Sequence, residues 1–355
     1  MKPLPVMGNA EATGPSNRRT DPACGCTRRD LLKYMVGSLV LSSVGLSSGC
    51  ARDPSGESSA RADSDFELSG RPRANPEPDS RLPIVWIEAG VCTGCAVTLL
   101  GSTDPTIETV LPLLRLEFQE TLMDRSGASE MDRLLAATSS ELKDKYLFVI
   151  DGTIPAGPFA HATTLGMASR NYELTAQDLV TQLAQRSAAI VALGTCACFG
   201  GITAARPNPA NHRPLVEFVP PEKPLIRIPG CPPHPAWILE TLTVILTQGL
   251  PGLSLDALGR PLSAFGGKIH DVCPRRGAYE AGEFAEAPGD PSRCLLAVGC
   301  KGPDTHADCP KRLWGGRSSC IHSNHPCIGC AAPGFPDARE DAGEEGTVAM
   351  SPIYS

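Results

Sequence analysis

From residue 82 onward, short apolar runs recur between longer amphipathic stretches. Leu82–Ile87 (LPIVWI), Lys145–Ile150 (KYLFVI), Ala188–Leu193 (AAIVAL) and Leu225–Ile228 (LIRI) have the length and content of buried strands. Helix candidates lie between them. Thr175-Ala176-Gln177-Asp178 forms a capping box ahead of Leu179, Val180 and Leu183. A second helix is predicted from Pro235 to Gly249, with Ile238, Leu242, Ile245 and Leu246 on one face. Strands alternating with helices imply an α/β fold, a parallel sheet with helices on both faces. After Phe265-Gly266-Gly267-Lys268 the periodicity is lost and Cys, Gly and Pro dominate, so an irregular C-terminal domain is expected.

The first 80 residues follow other rules. Thr27-Arg28-Arg29-Asp30-Leu31-Leu32-Lys33 precedes a modestly apolar stretch, Tyr34 to Ser48, that is too short and too rich in Ser and Gly to span a bilayer. Arg28 and Arg29 thus resemble the core of a twin-arginine export signal, which implies a periplasmic protein exported already folded and loaded with cofactor. Cys24 and Cys26 precede the signal core and are expected to leave with it. Ser48-Gly49-Cys50 loosely resembles a lipoprotein cleavage site, but Ser47 stands where an apolar residue is usual. Plain cleavage is therefore expected over a lipid anchor at Cys50. Residues 51–80 are polar and Pro-rich and read as a disordered linker. No stretch after residue 330 is apolar enough for a membrane helix, so no C-terminal anchor is expected. The expected division is a signal at 1–50, a linker at 51–80, a sheet domain at 81–260, a ligand domain at 261–340 and a tail at 341–355.

With 355 residues, 41% of them hydrophobic, the chain can bury the cores of two domains. A net charge of −7 gives no reason to expect nucleic acid. The 15 cysteines could mean disulfides or metal, and their spacing must decide. In parallel sheets, ligands sit beyond the carboxyl ends of the strands. The four strands run into Glu88-Ala89-Gly90-Val91-Cys92-Thr93-Gly94-Cys95, Asp151-Gly152-Thr153-Ile154-Pro155, Gly194-Thr195-Cys196-Ala197-Cys198 and Pro229-Gly230-Cys231-Pro232-Pro233. Cys92, Cys95, Cys196 and Cys231 can therefore converge. One CxxC joined by two distant single cysteines favours an iron–sulfur cluster over structural zinc, which more often uses two close pairs. Disulfides are the alternative in an exported chain.

CTGC after the first strand, DGTIP after the second, GTCACFGGI after the third and IPGCPPHP after the fourth resemble the small subunit of nickel–iron hydrogenases. Leu116–Met123 (LEFQETLM) is similar to that family's segment between the first two strands. The resemblance covers roughly residues 82–336. It implies a flavodoxin-like N-terminal domain, an irregular C-terminal cluster domain and three iron–sulfur clusters. Cys92, Cys95, Cys196 and Cys231 would hold the proximal [4Fe–4S] cluster. His270, three before Cys273 and ahead of Cys294 and Cys300, would complete the distal [4Fe–4S] ligand set. Cys309, Cys327 and Cys330 match a medial site that binds [3Fe–4S] in most of the family. There a proline usually stands seven residues before CIGC, and here that residue is Cys320. A fourth thiolate implies a medial [4Fe–4S] cluster, as in the nickel–iron–selenium relatives. The alternative is a packed free thiol.

Other departures matter. Oxygen-tolerant relatives carry extra cysteines at the positions of Gly94 and Gly201, so an ordinary proximal cluster and oxygen sensitivity are expected. Asp151 stands where the family usually has glutamate, and Cys198 has no ligand role. The resemblance implies that a separate large subunit carries the Ni–Fe centre and splits H2. No catalytic residue is expected on this chain, which would pass electrons to an external acceptor such as a periplasmic multihaem cytochrome c. Glu88 is a candidate for ordering the subunit interface or the proton exit. Two other classes remain open on the residues alone. A quinone-reductase-type iron–sulfur subunit shares the sheet and one cluster but has adjacent cysteines in the first motif and no C-terminal ligand domain. An exported zinc or disulfide protein is the other.

Overall fold

The computed structural model describes residues 81–337, apart from 126 and 169–171. The export signal with Arg28 and Arg29, together with Cys24, Cys26, Cys50, the linker at 51–80 and the tail at 341–355, lies outside the described residues. Five strands form the main sheet: β1 (Pro83–Glu88), β2 (Arg115–Gln119), β3 (Leu147–Asp151), β4 (Ala189–Leu193) and β5 (Leu225–Ile228). All pair in parallel, in the order β2-β1-β3-β4-β5. This is the doubly wound order in which the sheet reverses direction between β1 and β3.

Four of these strands are the predicted ones. The fifth, β2, reads RLEFQ, and its charged alternation hides it from a search for apolar runs. It is an edge strand that pairs only with β1, so its outer rim tolerates polar residues. The inner strands are apolar throughout because both faces are covered. Ile84 and Trp86 point into one core cluster, while Val85 and Ile87 point into the other. Helices α1 (Gly94–Leu100), α2 (Ala128–Ser139), α3 (Ala176–Arg186), α4 (Gly194–Phe199) and α5 (Pro235–Gln248) connect the strands or cover the sheet.

The predicted capping box is present in modified form. The Thr175 hydroxyl accepts from the Asp178 backbone N–H at 3.1 Å and donates to the Asp178 carboxylate at 2.8 Å. At α5 the cap is His234, whose Nδ1 accepts from the Ala236 N–H at 3.1 Å. The α5 face carrying Ile238, Leu242 and Ile245 is buried as the spacing predicts, together with Trp237 and Leu239.

Beyond Leu262 the chain is built of single turns. Phe265, Ile269, Ala307, Ile321 and Ala331 nevertheless pack into the same core cluster as Ile84, Trp86 and Leu193. The irregular segment is therefore seated on one face of the sheet. The Thr175 cap is fully inside the core, so Thr175→Ala is expected to lower stability by about 1 kcal/mol, read from thermal or denaturant unfolding of the assembled protein.

Candidate iron–sulfur ligand sites

Three loops at the carboxyl edge of the sheet bring the first four thiols together. Cys92 lies in the loop after β1, Cys95 is the second residue of α1, Cys196 sits in α4 directly after β4, and Cys231 follows β5. Cys92 is exposed, Cys95 is buried, and Cys196 and Cys231 are half-buried. Burial pushes the Cys95 thiol far above its ordinary value, and Asp151, Cys196 and Cys92 push it further. Cys231 is pushed up to about 12, first by burial and then by Cys196, Cys330 and Cys92. The thiols thus feel one another's charge in poorly hydrated surroundings. A cation between them is what would make four thiolates stable there.

Glycines keep that space open. A Cβ on Gly194 would stand 2.5 Å from the Cys95 sulfur, at a φ of +81° that itself favours glycine. A Cβ on Gly201 would meet the Cys196 nitrogen and sulfur, each at 2.9 Å, and one on Gly94 would lie 3.2 Å from the Cys92 sulfur. Gly94 and Gly201 therefore both border the thiol pocket, and neither adds a sulfur to it.

The second set lies in the C-terminal segment. His270, Cys273, Cys294 and Cys300 line one small cavity, with Ile269, Leu295 and Ile321 as its apolar wall. A single turn at Ile269–Val272 presents His270 and delivers the chain to Cys273; another at Leu295–Val298 separates Cys294 from Cys300. Burial raises the Cys273 thiol, and the neighbouring Cys300 and Cys294 add to it. The His270 ring packs edge-on to Tyr279, with centroids 4.6 Å apart.

Cys309, Cys320, Cys327 and Cys330 line a third cavity of about 1250 Å3, counting its open mouth. Cys327 is buried, Cys309 and Cys330 are half-buried, and Cys320 is exposed. Burial raises the Cys309 thiol, followed by Cys330, Asp308 and Cys320. Cys320 thus faces the same space as the other three thiols.

Among the described residues every cysteine is free, and no three donor side chains meet as they would on a single metal ion. The donors of the second and third sets instead ring cavities, a geometry suited to a cluster held by sulfurs on its outside. The predicted second and third donor sets each share a cavity, and Cys231 of the first set also lines the third. Cys198 stands apart from them, buried with its thiol donating to the Ala192 carbonyl at 3.2 Å.

Backbone links join the sets in series. The Cys327 N–H donates to the Cys300 sulfur at 3.4 Å, which connects the second and third sets. A Cys231 backbone bond to the Cys330 sulfur lowers that thiol, against the stronger effect of its burial. Thr195, fully buried, accepts from the Gly230 N–H at 2.8 Å and donates to the Cys330 carbonyl. Sequence reasoning missed Thr195, although its place beside Cys196 at a strand end was the available signal.

Sequence reasoning singled out Glu88 and Asp151 one by one but missed the acidic group they form with Glu120 beside the first set. Glu88 ends β1, Asp151 ends β3 in register with it, and Glu120 follows β2. The Glu120 carboxylate accepts from the Glu88 N–H at 3.2 Å, and the Glu88 carboxylate accepts from Thr121 and Gln119. Trp86 donates to Asp151 at 3.3 Å, while the other Asp151 oxygen is buried without a partner. Burial pushes Glu120 up to about 8, and burial and then Glu88 push Asp151 well above the carboxylate range.

A model of the C-terminal part of NiFe/NiFeSe hydrogenase small subunits matches residues 265–342. The periplasmic [NiFeSe] hydrogenase small subunit of Desulfomicrobium baculatum is 36% identical over 279 residues, 75% of this chain and 88% of that one. The chain belongs to the nickel–iron hydrogenase small-subunit family. The Hydrogenase-1 small chain of Escherichia coli K12 is 34% identical over 338 residues, 93% of this chain and 82% of that one. The reduced, active Ni-Fe-Se hydrogenase of Desulfomicrobium baculatum shares the fold at a TM-score of 0.68 and 36% identity, covering 76% of this chain and 99% of that chain. A model of the 20 kDa subunit of NADH–ubiquinone oxidoreductase matches residues 92–245. It stops before residues 265–342, which the hydrogenase small-subunit model covers.

A carboxyl group that titrates higher in the folded state stabilises it below its ordinary pKa and loses that contribution as pH rises through the folded value. Glu120 therefore makes stability fall between about pH 4.5 and 8, by up to about 1.4 kcal/mol per pH unit, and Asp151 acts in the same direction. Glu120→Gln is expected to flatten this fall in thermal melts of the assembled protein recorded across that range.

Proposed function

We propose that this chain is the electron-transfer subunit of a heterodimeric nickel–iron hydrogenase, with H2 split on the large subunit and electrons leaving for an external acceptor. The observation that carries the reading is the series of three donor sets joined by backbone links, Cys231 to Cys330 and Cys327 to Cys300. Cys92, Cys95, Cys196 and Cys231 hold the proximal [4Fe–4S] cluster. Cys309, Cys320, Cys327 and Cys330 hold the medial one, and His270, Cys273, Cys294 and Cys300 hold the distal one. When bound, such clusters supply one-electron storage.

The chain's own residues do the rest. N–H groups aimed at sulfur, as from Cys327 to Cys300 and from Gly329 to Cys327 at 3.4 Å, favour the more negative, reduced state. Burial excludes water from Cys95, Cys294 and Cys327. The proximal end carries exposed apolar residues, Val97 and Leu100 on α1 and Ile202 after Gly201, which suit coverage by the large subunit. Glycine at 94 and 201 supports a proximal cluster of the ordinary kind.

At the other end the His270 ring and the exposed side chains of Val272, Tyr279, Phe284 and Leu296 form an apolar collar. Exposed Asp271, Glu280, Glu283 and Glu286 surround it, against Lys268, Arg276 and Arg293. An apolar centre with a slight acidic excess suits brief docking of a cationic acceptor, such as a multihaem cytochrome c. The Arg28-Arg29 signal and the periplasmic relative support twin-arginine export to the periplasm. No described helix is long and apolar enough to cross a membrane.

Purified heterodimer is expected to contain about twelve acid-labile sulfides and about twelve cluster iron atoms, besides the iron of the Ni–Fe centre on the large subunit; zinc, or no metal, would overturn the reading. The oxidised wild type should lack a 3Fe-type EPR signal. Cys320→Ala should produce that signal, with cluster iron falling to about eleven and sulfide unchanged. A strong 3Fe signal in the wild type would remove Cys320 from the ligand set.

A further inference from the structure

A buried guanidinium stands between the distal and medial ligand loops. Arg275, two residues after Cys273, is 8% exposed and lines the cavity shared by His270, Cys273, Cys294 and Cys300. Its Nη1 donates to the carbonyl oxygens of Asp290 at 2.7 Å and of Arg293 at 2.8 Å. Arg293 is the residue before Cys294. Its Nη2 donates to the Ile321 carbonyl at 3.3 Å and to the Asn324 side-chain oxygen at 2.6 Å. Ile321 is the residue after Cys320. The Arg275 backbone N–H points at the Cys273 sulfur, 3.4 Å away.

All four acceptors of the guanidinium are uncharged; the Asp290 carboxylate, held by the Ser292 and Arg293 N–H groups, lies near enough to feel its charge but is not bonded to it. A buried cation is costly unless anions compensate it. The thiol-walled cavity that Arg275 lines is a second place for negative charge, because a cluster held by thiolates carries it. The two-sided fork also explains why arginine occupies the position. A lysine ammonium retains the charge but cannot span two loops in a fixed plane.

We propose that Arg275 is a positioning residue shared by the distal and medial sites. Its fork holds the loops of Cys294 and Cys320 in one register, and its charge favours the reduced state of the group held by His270, Cys273, Cys294 and Cys300. The proposal rests on the cluster reading above. It goes further by joining two sites through one side chain that ligates neither.

The test uses purified heterodimer and EPR-monitored redox titration of wild type, Arg275→Lys, Arg275→Met and Asn324→Ala. Arg275→Met is expected to move the distal midpoint to more negative potential and to raise a 3Fe-type signal from the medial site, as the Cys320 loop is released. Arg275→Lys should leave the distal midpoint close to wild type yet still raise the 3Fe signal. Asn324→Ala, which removes one bond and no charge, should leave the distal midpoint unchanged. An unchanged distal midpoint in Arg275→Met with full iron content would overturn the charge role. An unchanged medial spectrum in Arg275→Lys would overturn the positioning role, and this arm stands even if Arg275→Met fails to assemble. Wild-type iron far below about twelve atoms per chain would instead overturn the cluster reading itself.

Discussion

Four sulfurs cannot share a poorly hydrated pocket as thiolates without a cation among them. The first and third sets meet this constraint most directly, since burial and neighbouring sulfurs both drive their thiols toward the protonated state. The rest of the architecture serves that arrangement. The parallel sheet aligns its strand ends so that three loops meet. Glycines replace side chains where carbon would touch sulfur, and the irregular segment trades regular structure for turns that aim donors inward. In iron–sulfur proteins metal binding and folding are coupled, because thiolates that repel one another bare are drawn together by the metal.

Each set mixes buried and more exposed donors, but the surfaces at the two ends of the series differ. Cys95 and Cys327 are buried, while His270 is half-exposed beside an aromatic collar. An electron moving in that order goes from a face suited to a partner subunit toward a face suited to brief encounters. The backbone bonds between sets bring a ligand residue of one set against a ligand sulfur of the next.

Much of this was legible in the sequence because cysteine spacing carries chemistry and apolar runs carry strands. Four of the five sheet strands, both named helices and the convergence of Cys92, Cys95, Cys196 and Cys231 at strand ends follow from those two signals, whereas the other two donor sets came from the family resemblance. The edge strand β2 was not legible, since RLEFQ meets solvent along its free edge and has no apolar run. Nor was the acidic group formed by Glu88, Glu120 and Asp151. Its members are 63 positions apart at the extremes and meet only through strand register. Thr195 and Arg275 escaped for a similar reason. Each acts through backbone carbonyls, which leave no mark on residue type at the far end of the bond.

The Thr195 hydroxyl has one more implication. It links the turn after β4 to the Cys330 carbonyl, 135 positions later, while also holding Gly230. Closing so long a loop is entropically costly unless both ends already have a formed surface to meet. In the folded chain the final turn is a clasp that ties the ends of β4 and β5 to the last cysteine pair. A chain truncated or stalled before residue 330 would leave Thr195 half-satisfied and the proximal pocket without its cover.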